Sequence, residues 1–173
     1  MMINKIYILL GSILAVPFSY ASDLRTPYEG SIEKPVKAFY VGAGFSHKLI
    51  HLNAEWVNPY GVAYVKGGVF LSGDRVPGGQ IGFRMPVYLT NKEKNGYHVG
   101  VYGGYVDRKW VDDDDKARLG VGVDLAYVKL NRERVSTFSM GVAVAEKLTD
   151  REGDVVADVE PRLQFSYTLS FGL

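Results

Sequence analysis

From residue 37 to the end of the chain, apolar side chains return at every second position, interrupted only by short polar or charged segments. A period of two belongs to strands with one apolar and one polar face, and a helix cannot satisfy it. The first segment, residues 37–46, sets Phe39, Val41, Ala43 and Phe45 against Tyr40, Gly42, Gly44 and Ser46. The second, 49–57, sets Ile50, Leu52, Ala54 and Trp56 against His51, Asn53 and Glu55. After the turn Asn58-Pro59-Tyr60-Gly61, residues 61–71 oppose Val65, Val69 and Leu71 to Tyr64, Lys66 and Phe70. Residues 79–89 place Ile81, Phe83, Met85, Val87 and Leu89 opposite Gln80, Gly82, Arg84 and Tyr88. Segments 96–107, 117–130, 135–148 and 158–173 continue the pattern. Polar stretches 72–78, 90–95, 108–116, 131–134 and 149–157 separate them and read as loops or turns.

Eight strands follow from this count, and an even number brings the last strand back beside the first, so the sheet closes without edges. Alternation alone does not say which face points inward. Two features decide it. The polar face is rich in glycine (Gly42, Gly44, Gly82, Gly100, Gly120, Gly122 and Gly141 among others). Glycine weakens a strand, so a wet outer face has no use for it, whereas a narrow eight-stranded interior does. The apolar face carries large aromatics near the strand ends: Phe39, Trp56, Tyr97 and Tyr127 at one end, Phe45 and Tyr105 at the other. Such girdles border the apolar band of a membrane barrel. The expected fold is therefore all-β, an eight-stranded antiparallel up-and-down transmembrane β-barrel spanning residues 37–173.

The N-terminus reads as a secretory signal. Lys5 precedes an apolar run over residues 6–16, Pro17 ends it, and Ser19-Tyr20-Ala21 places small residues at −3 and −1 of a cleavage site after Ala21. The run is too short for a transmembrane helix, which needs about 20 apolar residues. Residues 22–36, with Pro27, Gly30 and Pro35, read as an irregular periplasmic leader. Removing residues 1–21 takes away one of the 20 basic residues and none of the 19 acidic ones, leaving the mature chain balanced. That balance gives no reason to expect nucleic acid as a partner. There is no cysteine, so neither disulfides nor a lipidated N-terminal cysteine can hold the exported chain.

With its cleavable signal, eight alternating strands and final run Phe165-Ser-Tyr167-Thr-Leu169-Ser-Phe171-Gly-Leu173, the chain resembles the small Gram-negative outer-membrane barrels of the OmpA and OmpX type. The resemblance is architectural and covers the mature chain. It implies residence in the outer membrane, contact with outer-membrane lipid and lipopolysaccharide, and a last strand read by the outer-membrane assembly machinery. Leu169, Phe171 and Leu173 are the residues that would carry that signal. Most such barrels end in Phe; here Leu173 is last and Phe171 stands two earlier.

Some barrels of this kind modify lipid A or phospholipid, so a hidden enzyme has to be weighed. Ser46, His51 and Glu55 fall on the polar face of the first hairpin, but a Ser/His/acid set is defined by hydrogen-bond geometry and not by spacing. A polar interior supplies such coincidences freely, and a non-enzymatic chain is expected, with no cofactor and no metal. The run Asp112 to Asp115 lacks the ligand spacing and turn glycine of a calcium loop. Gly42-Ala-Gly44 and Gly120-Val-Gly122 lack the third glycine and the helix of a nucleotide loop. The inward charges are more informative: Glu55 and Asp124 against Lys66, Arg84, Arg118, Lys147 and Arg162. Charges held away from water must pair. Glu55, Lys66, Arg84 and Asp124 are expected to form a network that plugs the lumen. The expected role is structural, or surface interaction through charged outer loops, in a monomer; a narrow pore or a lipid-modifying enzyme is the alternative.

Overall fold

The computed structural model describes residues 36–71, 76–90, 95–111 and 114–173; the expected signal at 1–21 and residues 22–35 of the leader lie outside them. The strands are β1 (Phe39–Ser46), β2 (Leu49–Asn58), β3 (Gly61–Phe70), β4 (Pro77–Leu89), β5 (Gly96–Val111), β6 (Asp114–Leu130), β7 (Arg134–Ala145), β8 (Leu148–Thr149), β9 (Val155–Ala157) and β10 (Pro161–Gly172). Eight of them close into a barrel in the order β1-β10-β7-β6-β5-β4-β3-β2, every pair antiparallel, while β8 and β9 form a separate small hairpin. The last strand zips onto the first, Phe171 opposite Val41 and Leu169 opposite Ala43. Closure leaves no ladder unpaired, the condition a barrel exists to meet.

Register and the two-residue period fix the direction of each side chain. Leu52, Ile81 and Leu163 point outward, at 72%, 67% and 62% exposure, while Arg84 and Arg118 are buried inside. The polarity is the inverse of a water-soluble domain, whose charged residues are the ones least often buried. Aromatic pairs stand on the outer wall as the sequence suggests: Phe39 stacks on Trp56 at 6.5 Å, and Tyr97 meets Tyr127 edge-on at 5.3 Å. We call the end with the β2–β3, β4–β5 and β6–β7 connections the turn end, and the opposite one the loop end.

Four local expectations change. Residues 108–111 and 114–116 of the expected loop are strand, because β5 runs on to Val111 and β6 starts at Asp114, with Lys109 opposite Lys116. Tyr88 is not on the inner face. A register shift between Pro86 and Tyr88 sets it opposite Tyr97, 65% exposed. Proline has no N–H for the ladder, and a bulge is where a strand tolerates it. The segment 149–157 contains the β8–β9 hairpin, turned around Gly153 at φ +92° and held by Asp150, whose side chain accepts the N–H groups of Glu152 and Asp154. The closing strand starts at Pro161, a first-strand position that needs no N–H.

Candidate functional site

Among the described residues, charged and polar side chains gather and are buried inside the barrel, in layers along its axis. At the turn end an apolar cluster crosses the lumen: Tyr40, Val57, Val62, Ala126, Val128, Leu130 and Val135, with Val36 packed against it. The Tyr40 hydroxyl donates to the Asn131 carbonyl at 2.9 Å, and Lys37 Nζ donates to the Gly172 carbonyl at 3.0 Å, tying the entering chain to the rim.

Above this lies a polar layer. Arg84 on β4 and Asp124 on β6 pair at 2.7 Å, with Arg84 Nε 3.2 Å from the same oxygen. These strands are not neighbours; β5 runs between them, and Gly100 of β5 stands opposite both residues. A Cβ at Gly100 would come 2.8 Å from Arg84 Cγ and run into the Asp124 carboxylate. Glycine there is what lets the two side chains meet over the intervening strand. The guanidinium also donates to Ser139 Oγ at 3.3 Å and lies 4.3 Å over the Tyr64 ring, a cation–π contact. Lys66 reaches Ser166 Oγ at 3.3 Å and lies 4.9 Å over the same ring.

Glu55 takes a different arrangement from the expected one. Among the described residues it forms no ion pair with Lys66 or Arg84; its Oε1 accepts from Asn53 Nδ2 at 2.8 Å and from Ser170 Oγ at 2.9 Å. Two sets therefore occupy the polar layer, an ion pair on one wall and a carboxylate–amide–hydroxyl cluster on the other. His51 faces the same layer but bonds neither Ser46 nor Glu55, and Ser46 Oγ instead accepts the N–H groups of Lys48 and Leu49 in the hairpin turn. The Ser46, His51 and Glu55 side chains are not assembled into a relay.

Toward the loop end come Tyr64, Tyr102, Val106, Ala143 and Ala145. The rings fit because the facing positions are glycine: a Cβ at Gly82 would lie 2.5 Å from the Tyr64 ring, and Gly122 plays the same part for Tyr102. Above them sits a second ionic centre that alternation does not reveal. Asp107, 1% exposed, accepts from Lys48 on the β1–β2 connection, from Arg118 at 3.0 Å and from Arg162 at 3.4 Å. Arg118 also donates to the Glu146 and Asp158 carbonyls, the latter at 2.9 Å. Strict alternation after Tyr105 would turn Asp107 outward. A register shift between Tyr105 and Asp107 brings both Val106 and Asp107 inside, next to Gly104 at φ +136°. The Gly103-Gly104 pair is the only trace of that bulge in the sequence. Nearby, burial and the charge of Lys48 lower the pKa of His47 in the β1–β2 connection. Of the other charges assigned to the lumen, Lys147 lies beyond the end of β7 and is exposed.

The C-terminal residues lie on the outer wall: Phe171 and Leu173 are 57% and 73% exposed, and the Leu173 N–H donates to the Phe39 carbonyl. Comparison of the chain with protein-family models, with curated proteins and with solved structures gives no match.

Proposed function

We propose that this chain is a non-enzymatic outer-membrane barrel of a Gram-negative envelope, with a plugged polar lumen and a structural or surface-interaction role at its loop end. One observation carries the reading: a closed sheet with an apolar outer wall and buried charges inside. In water that wall would be an aggregation liability far beyond the few hundred Å2 of a usual surface patch. In hydrocarbon it is the correct solvent, and a closed barrel is the only strand architecture that leaves no backbone group unsatisfied there. The signal-like N-terminus agrees with export, and outer-wall aromatic pairs at both ends, Phe39–Trp56 and Tyr97–Tyr127 at the turn end and Phe45–Tyr167 toward the loop end, agree with two interfaces.

The same reading accounts for the interior. Along the axis stand an apolar cluster, a polar layer with the Arg84–Asp124 pair, the Tyr64–Tyr102 cluster and the ionic centre at Asp107. Such a core holds the barrel open to lipid and closed to solutes. The test is fractionation of cells expressing the full chain, followed by electrophoresis with and without boiling. Recovery in the outer-membrane fraction, with a folded band that shifts on heating, is the expected result. Recovery as a water-soluble protein would remove the proposal.

A further inference from the structure

The two ends of the barrel differ in charge. Around the β6–β7 connection at the turn end, Lys129, Arg132 and Arg134 are exposed, and Glu133 is the one acid among residues 129–134. None of the three cations forms an ion pair among the described residues. At the loop end, residues 146–162 carry six acids (Glu146, Asp150, Glu152, Asp154, Asp158 and Glu160) against Lys147, Arg151 and Arg162. Lys129 lies two residues beyond Tyr127 on the outward face of β6, and Arg134 lies opposite the outward Phe171. The corner backbone is hydrogen-bonded in place: Asn131 Oδ1 accepts the N–H groups of Glu133 and Arg134 at 3.0 and 2.8 Å, and the Gly172 N–H donates to the Glu133 carbonyl at 2.8 Å.

We infer that this corner, Lys129, Arg132 and Arg134 beyond the Tyr127–Phe138 row and beside Phe171, is a headgroup site for anionic phospholipid in the leaflet at the turn end. The inference rests on the membrane reading above. Tyr127, Phe138 and the wall behind them would face the acyl chains, while the three cations, beyond the Tyr127–Phe138 row and level with Phe171, face the phosphates. The turn backbone sets where the three cations emerge, and arginine presents two parallel donors to a phosphate. The long stems keep the charged heads in the headgroup layer while the wall stays in hydrocarbon. The acidic loop end offers an anionic leaflet no such partner.

The experiment uses the full chain, folded in vesicles of phosphatidylglycerol and phosphatidylcholine with identical acyl chains, then released for native mass spectrometry to count the lipids retained. Retention enriched in phosphatidylglycerol is expected. Each basic residue near an anionic surface contributes about a factor of five, so Lys129→Gln with Arg132→Gln and Arg134→Gln should abolish the enrichment, and Arg132→Gln alone should reduce it. Lys109→Gln with Lys147→Gln at the loop end should leave it unchanged. Equal retention of the two lipids, or enrichment that survives the triple substitution, would overturn the inference. So would full competition by inorganic phosphate at the lipid's concentration, which would mark a general anion site. Failure of the unmodified chain to form a barrel in either lipid would count against the membrane reading instead, so the two failures are distinct.

Discussion

Arg84 and Asp124 meet across a strand that separates them, and the position between them is glycine. Removing one partner of a buried ion pair typically costs about 3–5 kcal/mol, because the other charge is left uncompensated. Asp124→Asn is therefore expected to lower the unfolding midpoint in detergent. Arg84→Ala added to it should cost less than the two single losses together, as double-mutant cycles report for coupled neighbours; additive losses would mean that the pair is not coupled. Asp107→Asn tests the centre that strict alternation conceals. It weakens charge-assisted bonds from Lys48, Arg118 and Arg162, each of a kind worth about 1.5–3 kcal/mol. A midpoint unchanged by Asp107→Asn would contradict a structural role for that cluster. At this scale the sequence shows which charges face inward and not how they choose partners. Glu55 and Lys66 sit on the polar face as the period requires, yet Glu55 bonds Asn53 and Ser170. Partner choice depends on reach across the lumen, which register and tilt determine and residue spacing does not encode. Asp107 was hidden because one bulge inverts the phase of everything after it.

The eight barrel strands are legible because each carries a two-residue period, and their outer and inner faces follow from it except past the bulges in β4 and β5; β8 and β9 have no such period and lie in a stretch that reads as a loop. Tyr88 is displaced by the bulge at Pro86. Connections are the less legible part. The charged stretch 108–116 has loop-like composition, yet β5 and β6 continue into it, since a ladder beyond the barrel rim needs backbone pairing and not an apolar face. That has a consequence for proteolysis. The run of four aspartates ending at Lys116 is an enteropeptidase sequence, but Lys116 is paired in the β5–β6 ladder. The folded protein should resist enteropeptidase at this position, and the urea-unfolded chain should be cut after Lys116. Equal cleavage of both states would show that the hairpin extension does not hold. The last strand carries its own expectation. Phe171 and Leu169 pair with β1 to close the barrel, so deletion of the last three residues should leave the chain unassembled and protease-sensitive in the periplasm. Normal membrane insertion of that truncation would remove the assignment of Leu169, Phe171 and Leu173 as an assembly signal.

For the whole molecule, the layering of the lumen matters more than any one ion pair. The apolar cluster around Tyr40, Val57 and Val128 spans the turn end independently of Arg84 and Asp124. The intact barrel should carry no sustained current in a planar bilayer, and Arg84→Ala should not open it, because the apolar cluster still stands in the path. Steady conductance of the unmodified barrel would move the reading from anchor to channel. Beneath this stands the inverted polarity of the barrel. The chain has no native cysteine, so a single label reports one position cleanly. The most direct measurement is electron paramagnetic resonance of spin-labelled Leu52→Cys in the full chain folded into lipid vesicles. The account expects the label to be relaxed by oxygen dissolved in hydrocarbon and shielded from a water-soluble nickel complex. A label open to the nickel complex and insensitive to oxygen would place Leu52 in water and contradict a membrane-spanning barrel.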